Sequence, residues 1–385
     1  MKKRKICVVV TARPSYSRIK TVLRGINNHP DLELQLVVAA SALLDRYGNA
    51  VKFIEADGFE IAARVYMVLE GENPIAMAKT AGIGLIELAT TFDHLAPDIV
   101  VTVADRYETL ATAVAGSYLN LPVGHVQGGE ITGSIDEKVR HAVTKLSNVH
   151  FVATQKAAER VTRMGEDPAA VFVTGCPSID LVADILKSPG LNFDPIGKYG
   201  GVGCELNWHN DYIVVLQHPV TTEYELAKSQ VLETLFAIRD LGVPTFWFWP
   251  NVDAGSDGVS NAIRAFRENE NPTNIHFFKN MAPEDFLRLL YNSRCIVGNS
   301  SVGIRECSYM GVPVVNIGNR QEGRERGNNV IDVAHNRCEV FRALKHHLRN
   351  GRYCQDRLYG DGKAGELIAQ KLAEIPLQIE KRLTY

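Results

Sequence analysis

Short apolar runs alternate with longer amphipathic stretches along the first half of the chain: ICVVV at 6–10, LELQLVVAA at 32–40, DIVVTVA at 98–104, PVGHV at 122–126 and HFVAT at 150–154. Strands that are apolar throughout and separated by helix-length segments are the mark of a parallel sheet covered on both faces. The pattern places a helix near Ser15 to Ser17, another over about 73–94 and a third over 135–146. A Gly-rich polar stretch at 189–210 reads as a linker, and the alternation then restarts with YIVVLQHP at 212–219, TFWFWP at 245–250, IHFF at 275–278, CIVGNSS at 295–301 and PVVNIG at 313–318. Helical stretches near 223–240, 257–268, 283–292, 302–310 and 336–348 alternate with these strands, and a terminal helix falls at about 364–382. The predicted fold is α/β: two Rossmann-like doubly wound domains, 1–188 and 211–362, facing a cleft, with a C-terminal helix over 363–385 free to pack back on the first.

Composition adjusts this picture little. A chain of 385 residues suits two cores, and 45% apolar with 22% charged residues is ordinary for a globular protein. The formal net charge of -2 argues against bulk attraction to nucleic acid or anionic membrane. Seven scattered cysteines form no CxxC pair, so they read as small buried hydrophobes in a reducing compartment. The opening MKKRKICVVV meets Arg13 and Pro14 after about five apolar residues, which predicts a first strand rather than an export signal. No run of some 18 apolar residues is visible, so no membrane span and a cytoplasmic location are expected.

Ligands of open parallel sheets bind outside the carboxyl ends of the strands. Arg13, Asp105, Gln127, His218, Asn251 and Ser300 all follow an apolar strand. In TARPSYSR, Arg13 precedes a helix that Ser15 or Ser17 can cap, a setting that suits a phosphate. No GxGxxG follows the first strand and the chain has no GxxxxGK[ST], so the common dinucleotide and P-loop readings lose their main support. CIVGNSSVGIRE passes from strand through Ser300 and Ser301 into a helix, where hydroxyls and amides can cradle a pyrophosphate and Glu306 can accept bonds from a ribose diol. Asp105 and Arg106 follow a buried strand, either as an ordinary ion pair or as part of a site. HVQGGEITGSIDEKVRH then gathers Glu130, Asp136, Glu137, Arg140 and His141, with Asp136 and Arg140 four apart on one helix face. Carboxylates held together have their pKa values pushed apart, so one can act as base and another as acid. FWPNVDAGSD adds Asn251 and Asp253 for hydroxyl or phosphate recognition.

Taken together, TARPSYS, ADRYET, HVQGGEITGSIDEKVRHAVTKL, TGCPSID, QHPVTTE, PNVDAGSD and GNSSVGIRE with PVVNIGNRQEGRERGNNV resemble the UDP-N-acetylglucosamine 2-epimerase family, and more closely its hydrolysing branch. The resemblance covers nearly the whole chain and implies a GT-B-like pair of domains. It implies that Arg13, His218, Asn251, Ser300, Ser301, Glu306 and Arg320 hold uridine diphosphate, with Ser17, Arg106, Asp253 and Arg305 beside them. Catalysis falls to Asp105 and Asp136, with Arg140 and His218 in support. The implied reaction removes the C2 proton as the nucleotide leaves, forms a 2-acetamidoglucal, and adds water with inversion at C2 to release N-acetylmannosamine and UDP. This supplies a precursor of sialic acid; the same reaction on UDP-N,N'-diacetylbacillosamine, toward legionaminic acid, and a non-hydrolysing 2-epimerase are the alternatives. One departure stands out: the family's catalytic glutamate is replaced here by Gln127, whose amide cannot take a proton, so either another acid, most simply Glu130 or Asp136, covers that step, or this branch divides the steps differently, or the change reports a different sugar. A retaining glycosyltransferase would share the fold, and a non-catalytic nucleotide-sugar sensor would leave UDP-N-acetylglucosamine intact. The family's habit implies a homodimer or dimer of dimers. No metal or organic cofactor is expected, so turnover should survive saturating chelator; loss of activity restored by one divalent ion would overturn this.

Overall fold

The computed structural model describes residues 3–71, 73–132, 135–250 and 254–385. The chain divides into two compact units, one built from Met1–Glu130, Ile135–Ala183 and Tyr359–Tyr385, the other from Ile131–Ser134 and Asp184–Leu358.

In the first unit, β1 (Arg4–Val10), β2 (Leu32–Ala39), β3 (Ile61–Val65), β4 (Ile99–Val103), β5 (Val123–Val126), β6 (Val149–Val152) and β7 (Val171–Val173) form one parallel sheet. Their order is β3-β2-β1-β4-β5-β6-β7, so the winding reverses between β1 and β4. Alternate side chains of a strand point to opposite faces, and β1 serves two cores at once. Ile6, Val8 and Val10 pack with Ile19, Leu23 and Ile368, while Cys7 and Val9 pack with Leu88, Phe92 and Ala111. That double duty is why β1 reads as apolar at every position from Ile6 to Val10.

The second unit repeats the scheme with β8 (Val202–Gly203), β9 (Ile213–Leu216), β10 (Thr245–Phe248), β11 (Ile275–Phe278), β12 (Ile296–Gly298), β13 (Val314–Ile317) and β14 (Val330–Val333). The order β14-β13-β12-β9-β10-β11-β8 puts the reversal between β9 and β12. All pairings are parallel except β8 with β11.

Several elements differ from the sequence pattern. The stretch 189–210, expected as a linker, holds a helix, Pro195–Tyr199, capped by Asp194, and the edge strand β8. Lys198 and the Tyr199 hydroxyl both reach Asp285 at 2.6 Å, and the His276 ring meets the carbonyls of Cys204 and Gly200 at 2.9 Å. The terminal helix spans Ala364–Glu374 rather than 364–382, because Ile375 is extended ahead of Pro376. It packs on Arg13–Asn28 at a close crossing, where a Cβ on Gly25 would lie 2.8 Å from the Gly365 carbonyl oxygen. Asp180 caps its start, accepting from Ala364 N at 2.9 Å and Gly365 N at 2.6 Å. The helix Pro74–Leu95 is long and apolar enough, by length and composition, to cross a membrane, although no such run was visible in the sequence. Its buried stripe of Ala76, Thr80, Gly84, Leu88 and Phe92 turns toward the first unit, with Leu88 and Phe92 in the core.

Beyond Glu374 the chain runs on to a buried charge cluster. Lys381 Nζ donates to the carbonyls of Thr144, Lys145 and Ser147 at 3.1, 2.8 and 2.6 Å, closing the C-terminal end of the helix Ile135–Leu146. It also pairs with Glu166, which accepts from Lys145 at 2.6 Å and meets His150 Nε2 at 3.0 Å. Burial by itself would raise the Glu166 carboxyl, but the His150, Lys145 and Lys381 donors outweigh it and hold it at about 2, below its ordinary 4.5. A carboxyl depressed on folding stabilises the native state fully above its unfolded pKa, and that contribution drains away as pH falls through the folded value. Glu166→Gln should therefore melt several degrees below the wild type at pH 7, with the gap closing between about pH 4.5 and pH 2 in thermal denaturation. A gap independent of pH would show that the charge is not what stabilises this cluster.

Candidate functional site

In the first unit the helix after β1 begins at Arg13, with Ala12 as N-cap and no side-chain cap. Neither Ser15 nor Ser17 caps it: Pro14 lies in the first turn, and Ser17 Oγ donates back to the Pro14 carbonyl at 3.0 Å. Burial, with the charge of Arg106 added, lowers the Arg13 guanidinium to about 10, which leaves it cationic at neutral pH.

At the end of β4, Ala104 takes a left-handed φ of 63°, its N–H bonded to the Val126 carbonyl at 2.8 Å. The turn delivers Asp105, which is 7% exposed. Its carboxylate pairs with Arg140 Nη2 and, at 3.5 Å, with Arg18 Nη1. Arg106 is paired instead with the buried Glu108, at 2.9 and 3.2 Å. Sequence reasoning missed Arg18 and Glu108, since nothing in their spacing distinguishes them from surface charges.

At the end of β5, Gln127 is also left-handed, with φ 68°, and 1% exposed. Its Nε2 donates to Cys176 Sγ at 2.7 Å, while Oε1 has no hydrogen-bond partner among the described residues. Gly129, at φ 74°, follows where a Cβ would collide with the Ala157 carbonyl. Glu130 is buried at 3% exposure, and its carbonyl accepts from Arg140 Nη1 at 2.9 Å. Asp136 lies half-buried in the first turn of the helix Ile135–Leu146, whose next turn carries Arg140. Glu137 joins Arg140 at 3.5 Å and His141 at 2.8 Å. Beneath them sits His125, another residue the sequence did not single out. Burial drives its imidazole down to about 3, so it is neutral, meeting the Ala104 carbonyl through Nε2 at 2.8 Å and Thr144 Oγ1 through Nδ1 at 3.2 Å.

In the second unit, His218 follows β9 and is 4% exposed. Gly298 ends β12 at φ 134°, and Ser300 caps a short helix, Ser301–Ile304, that breaks at Arg305 and resumes as Glu306–Met310. The sequence pattern had read one helix over 302–310 there. Arg305 is buried and donates to Ser301 Oγ at 2.7 Å. After β13, Arg320 Nη1 and Gln321 Nε2 both donate to the Asn299 carbonyl, at 3.2 and 2.9 Å. Asn251 and Asp253 lie outside the described residues.

The unsatisfied atoms have a pattern. Buried oxygens without a partner among the described residues include Gln217 Oε1 after β9, Glu306 Oε2 in the second short helix after β12 and Gln321 Oε1 after β13. A buried acceptor left empty costs free energy, and three at the strand ends of one unit suit the hydroxyl and N–H donors of a ligand. Among the described residues no three His, Cys, Asp or Glu side chains gather as a metal set. All seven cysteines are free, and burial pushes the Cys7 thiol up to about 12 and raises those of Cys295 and Cys307.

Comparison with known proteins places this geometry. A UDP-N,N'-diacetylbacillosamine 2-epimerase (hydrolyzing) of Legionella pneumophila is 33% identical over 374 residues, covering 97% of each chain. Polysialic acid biosynthesis protein P7 of Escherichia coli is 30% identical over 344 residues, 89% of this chain and 85% of that one. The fold matches the UDP-GlcNAc 2-epimerase of Methanocaldococcus jannaschii, solved with UDP-GlcNAc and UDP, with a TM-score of 0.79 at 19% identity over 96% of this chain and 99% of that one. With the profile of the UDP-N-acetylglucosamine 2-epimerase family matching residues 24–373, the chain belongs to that family.

Proposed function

We propose that this protein is a hydrolysing 2-epimerase that converts UDP-N-acetylglucosamine and water to N-acetylmannosamine and UDP. The observation that carries this reading is the hub around Arg140, which ties Asp105 to the Glu130 backbone at the head of the helix bearing Asp136. Three carboxyls at the ends of β4 and β5 and in the adjoining helix are what proton transfer at a sugar carbon requires. In the first step a carboxylate takes the C2 proton, the C1–O bond breaks, and UDP leaves with that electron pair, giving the 2-acetamidoglucal. In the second, an acid returns a proton to C2 from the other face while water adds at C1.

Within this scheme Gln127 orients rather than reacts, because an amide has no basicity to offer. Glu130 and Asp136 are the groups that take over the family glutamate's step. Asp105, accepting from two guanidiniums, is favoured as the ionised carboxylate. The second unit holds the UDP: Ser300, Ser301, His218, Arg305 and Arg320 supply donors for the diphosphate, and Glu306 accepts from the ribose. Arg13, Arg106 and Ser17 belong to the same reading on the first unit, as do Asn251 and Asp253 on the second.

The same chemistry on UDP-N,N'-diacetylbacillosamine is the second reading, favoured by the name of the Legionella relative. The product then feeds legionaminic rather than sialic acid synthesis. Seven free cysteines suit a cytoplasmic site of action. A homodimer fits the exposed apolar side chains of Ile75, Ile86, Tyr66 and Tyr118, each more than 60% exposed, on and beside the helix Pro74–Leu95.

Asp105→Asn and Asp136→Asn should keep UDP binding while turnover falls by about 10²-fold or more, the usual scale for a lost general acid or base. In deuterated water the released sugar should carry deuterium at C2; retention of the original hydrogen would rule out elimination and reopen the glycosyltransferase or simple hydrolase readings. Replacing Ser300 and Ser301 together by alanine should weaken UDP binding about tenfold by calorimetry. Unchanged affinity would move the diphosphate elsewhere.

A further inference from the structure

We infer that Asn299 is the positioning residue of the second unit's nucleotide site, joining His218 and the serine turn into one rigid piece. The inference rests on the reading that this unit holds UDP. Strands β9 and β12 pair in register up to Leu216 and Gly298. There the backbone ladder ends, and the Asn299 side chain extends it by one rung. Its Oδ1 accepts from the His218 N–H at 2.8 Å and its Nδ2 donates to the His218 carbonyl at 2.8 Å, a reciprocal pair that a primary amide makes without needing to titrate. The Asn299 N–H reaches the Leu216 carbonyl at 3.3 Å, and its own carbonyl takes Arg320 and Gln321. Asn299 is 0% exposed, so none of these bonds competes with water.

Gly298 makes this approach possible. Its φ of 134° is a glycine conformation, and a Cβ there would collide with the Leu216 carbonyl. Asn299 thus fixes the spacing between three ligand-facing groups that no single element carries: His218 after β9, Ser300 after β12 and Arg320 after β13. Pre-set geometry lowers the ordering cost of binding, so Asn299 acts on UDP affinity through its neighbours.

The test is calorimetric titration of the full chain with UDP. Asn299→Ala should weaken binding about tenfold or more, since both His218 backbone groups lose their partner. Asn299→Asp discriminates further. As a carboxylate it accepts from the His218 N–H but cannot donate to the carbonyl, whereas the protonated acid does both. Binding by this variant should be weak at pH 8 and return toward the wild-type value as pH falls to about 5.5, because burial beside a carbonyl favours the neutral acid. His218, Arg305, Glu306, Arg320 and the diphosphate are the other charged or titratable groups here, so each point is compared with wild type at the same pH. Wild-type affinity in both variants, or an Asp variant that stays weak at low pH, would overturn the inference. If the alanine variant does not fold, the Asp variant decides alone. Failure of the wild type to bind UDP would instead overturn the assignment of the nucleotide to this unit.

Discussion

The first unit's site depends on the burial of Arg140. A guanidinium that is 1% exposed must find anionic and carbonyl partners or destabilise the fold. It finds the Asp105 carboxylate, the Glu130 carbonyl and, more loosely, Glu137. Each partner comes from a different piece of chain: the turn after β4, the loop after β5 and the helix itself. One buried cation therefore sets the relative positions of the carboxyls that the proposed chemistry needs. The cost of an uncompensated buried charge is what keeps them there.

Supports beneath the site act in the same direction. Neutral His125 holds the left-handed turn that presents Asp105 and, through Thr144, ties it to the helix of Arg140. At that helix's far end Lys381 takes three carbonyls, so the helix is fixed at both ends by charged groups. The second unit achieves rigidity differently. Its key contacts are amide to backbone, centred on Asn299, and its acceptors on Gln217, Glu306 and Gln321 have no partner among the described residues. A site meant to hold a polyhydroxylated, anionic ligand gains from donors and acceptors that are in place before the ligand arrives.

Gln127 shows how a departure from a family pattern acquires physical meaning. Its amide is pinned by Cys176, its backbone is left-handed, and its side-chain carbonyl oxygen is buried without a partner among the described residues. Such a group can accept a hydrogen bond but has no basicity with which to abstract a proton. Glu130, three residues on and buried beside the Arg140 hub, offers the basicity that Gln127 lacks.

Central strands were legible because they serve two cores, which makes them almost wholly apolar, as in β9, in β4 apart from Thr102 and in β1 from Ile6 to Val10. Edge strands β3 and β14 were not, because a charged residue interrupts each apolar run, and β7 and β8 are only three and two residues long. Strand-end logic drew attention to Asp105, Gln127, His218 and Ser300 without any coordinates, since the chain must turn where a buried strand stops. The sequence by itself also determined that no GxGxxG follows the first strand and that the acids cluster after β5. Only tertiary structure decided how the charges pair. Arg106 takes Glu108, Arg140 reaches back 35 residues to Asp105, and Lys381 reaches more than 200 residues to Glu166 and the helix of Arg140. Local periodicity reports which face of an element is buried, whereas an ion pair between distant segments depends on the path of the whole chain, and that path leaves no period in the sequence.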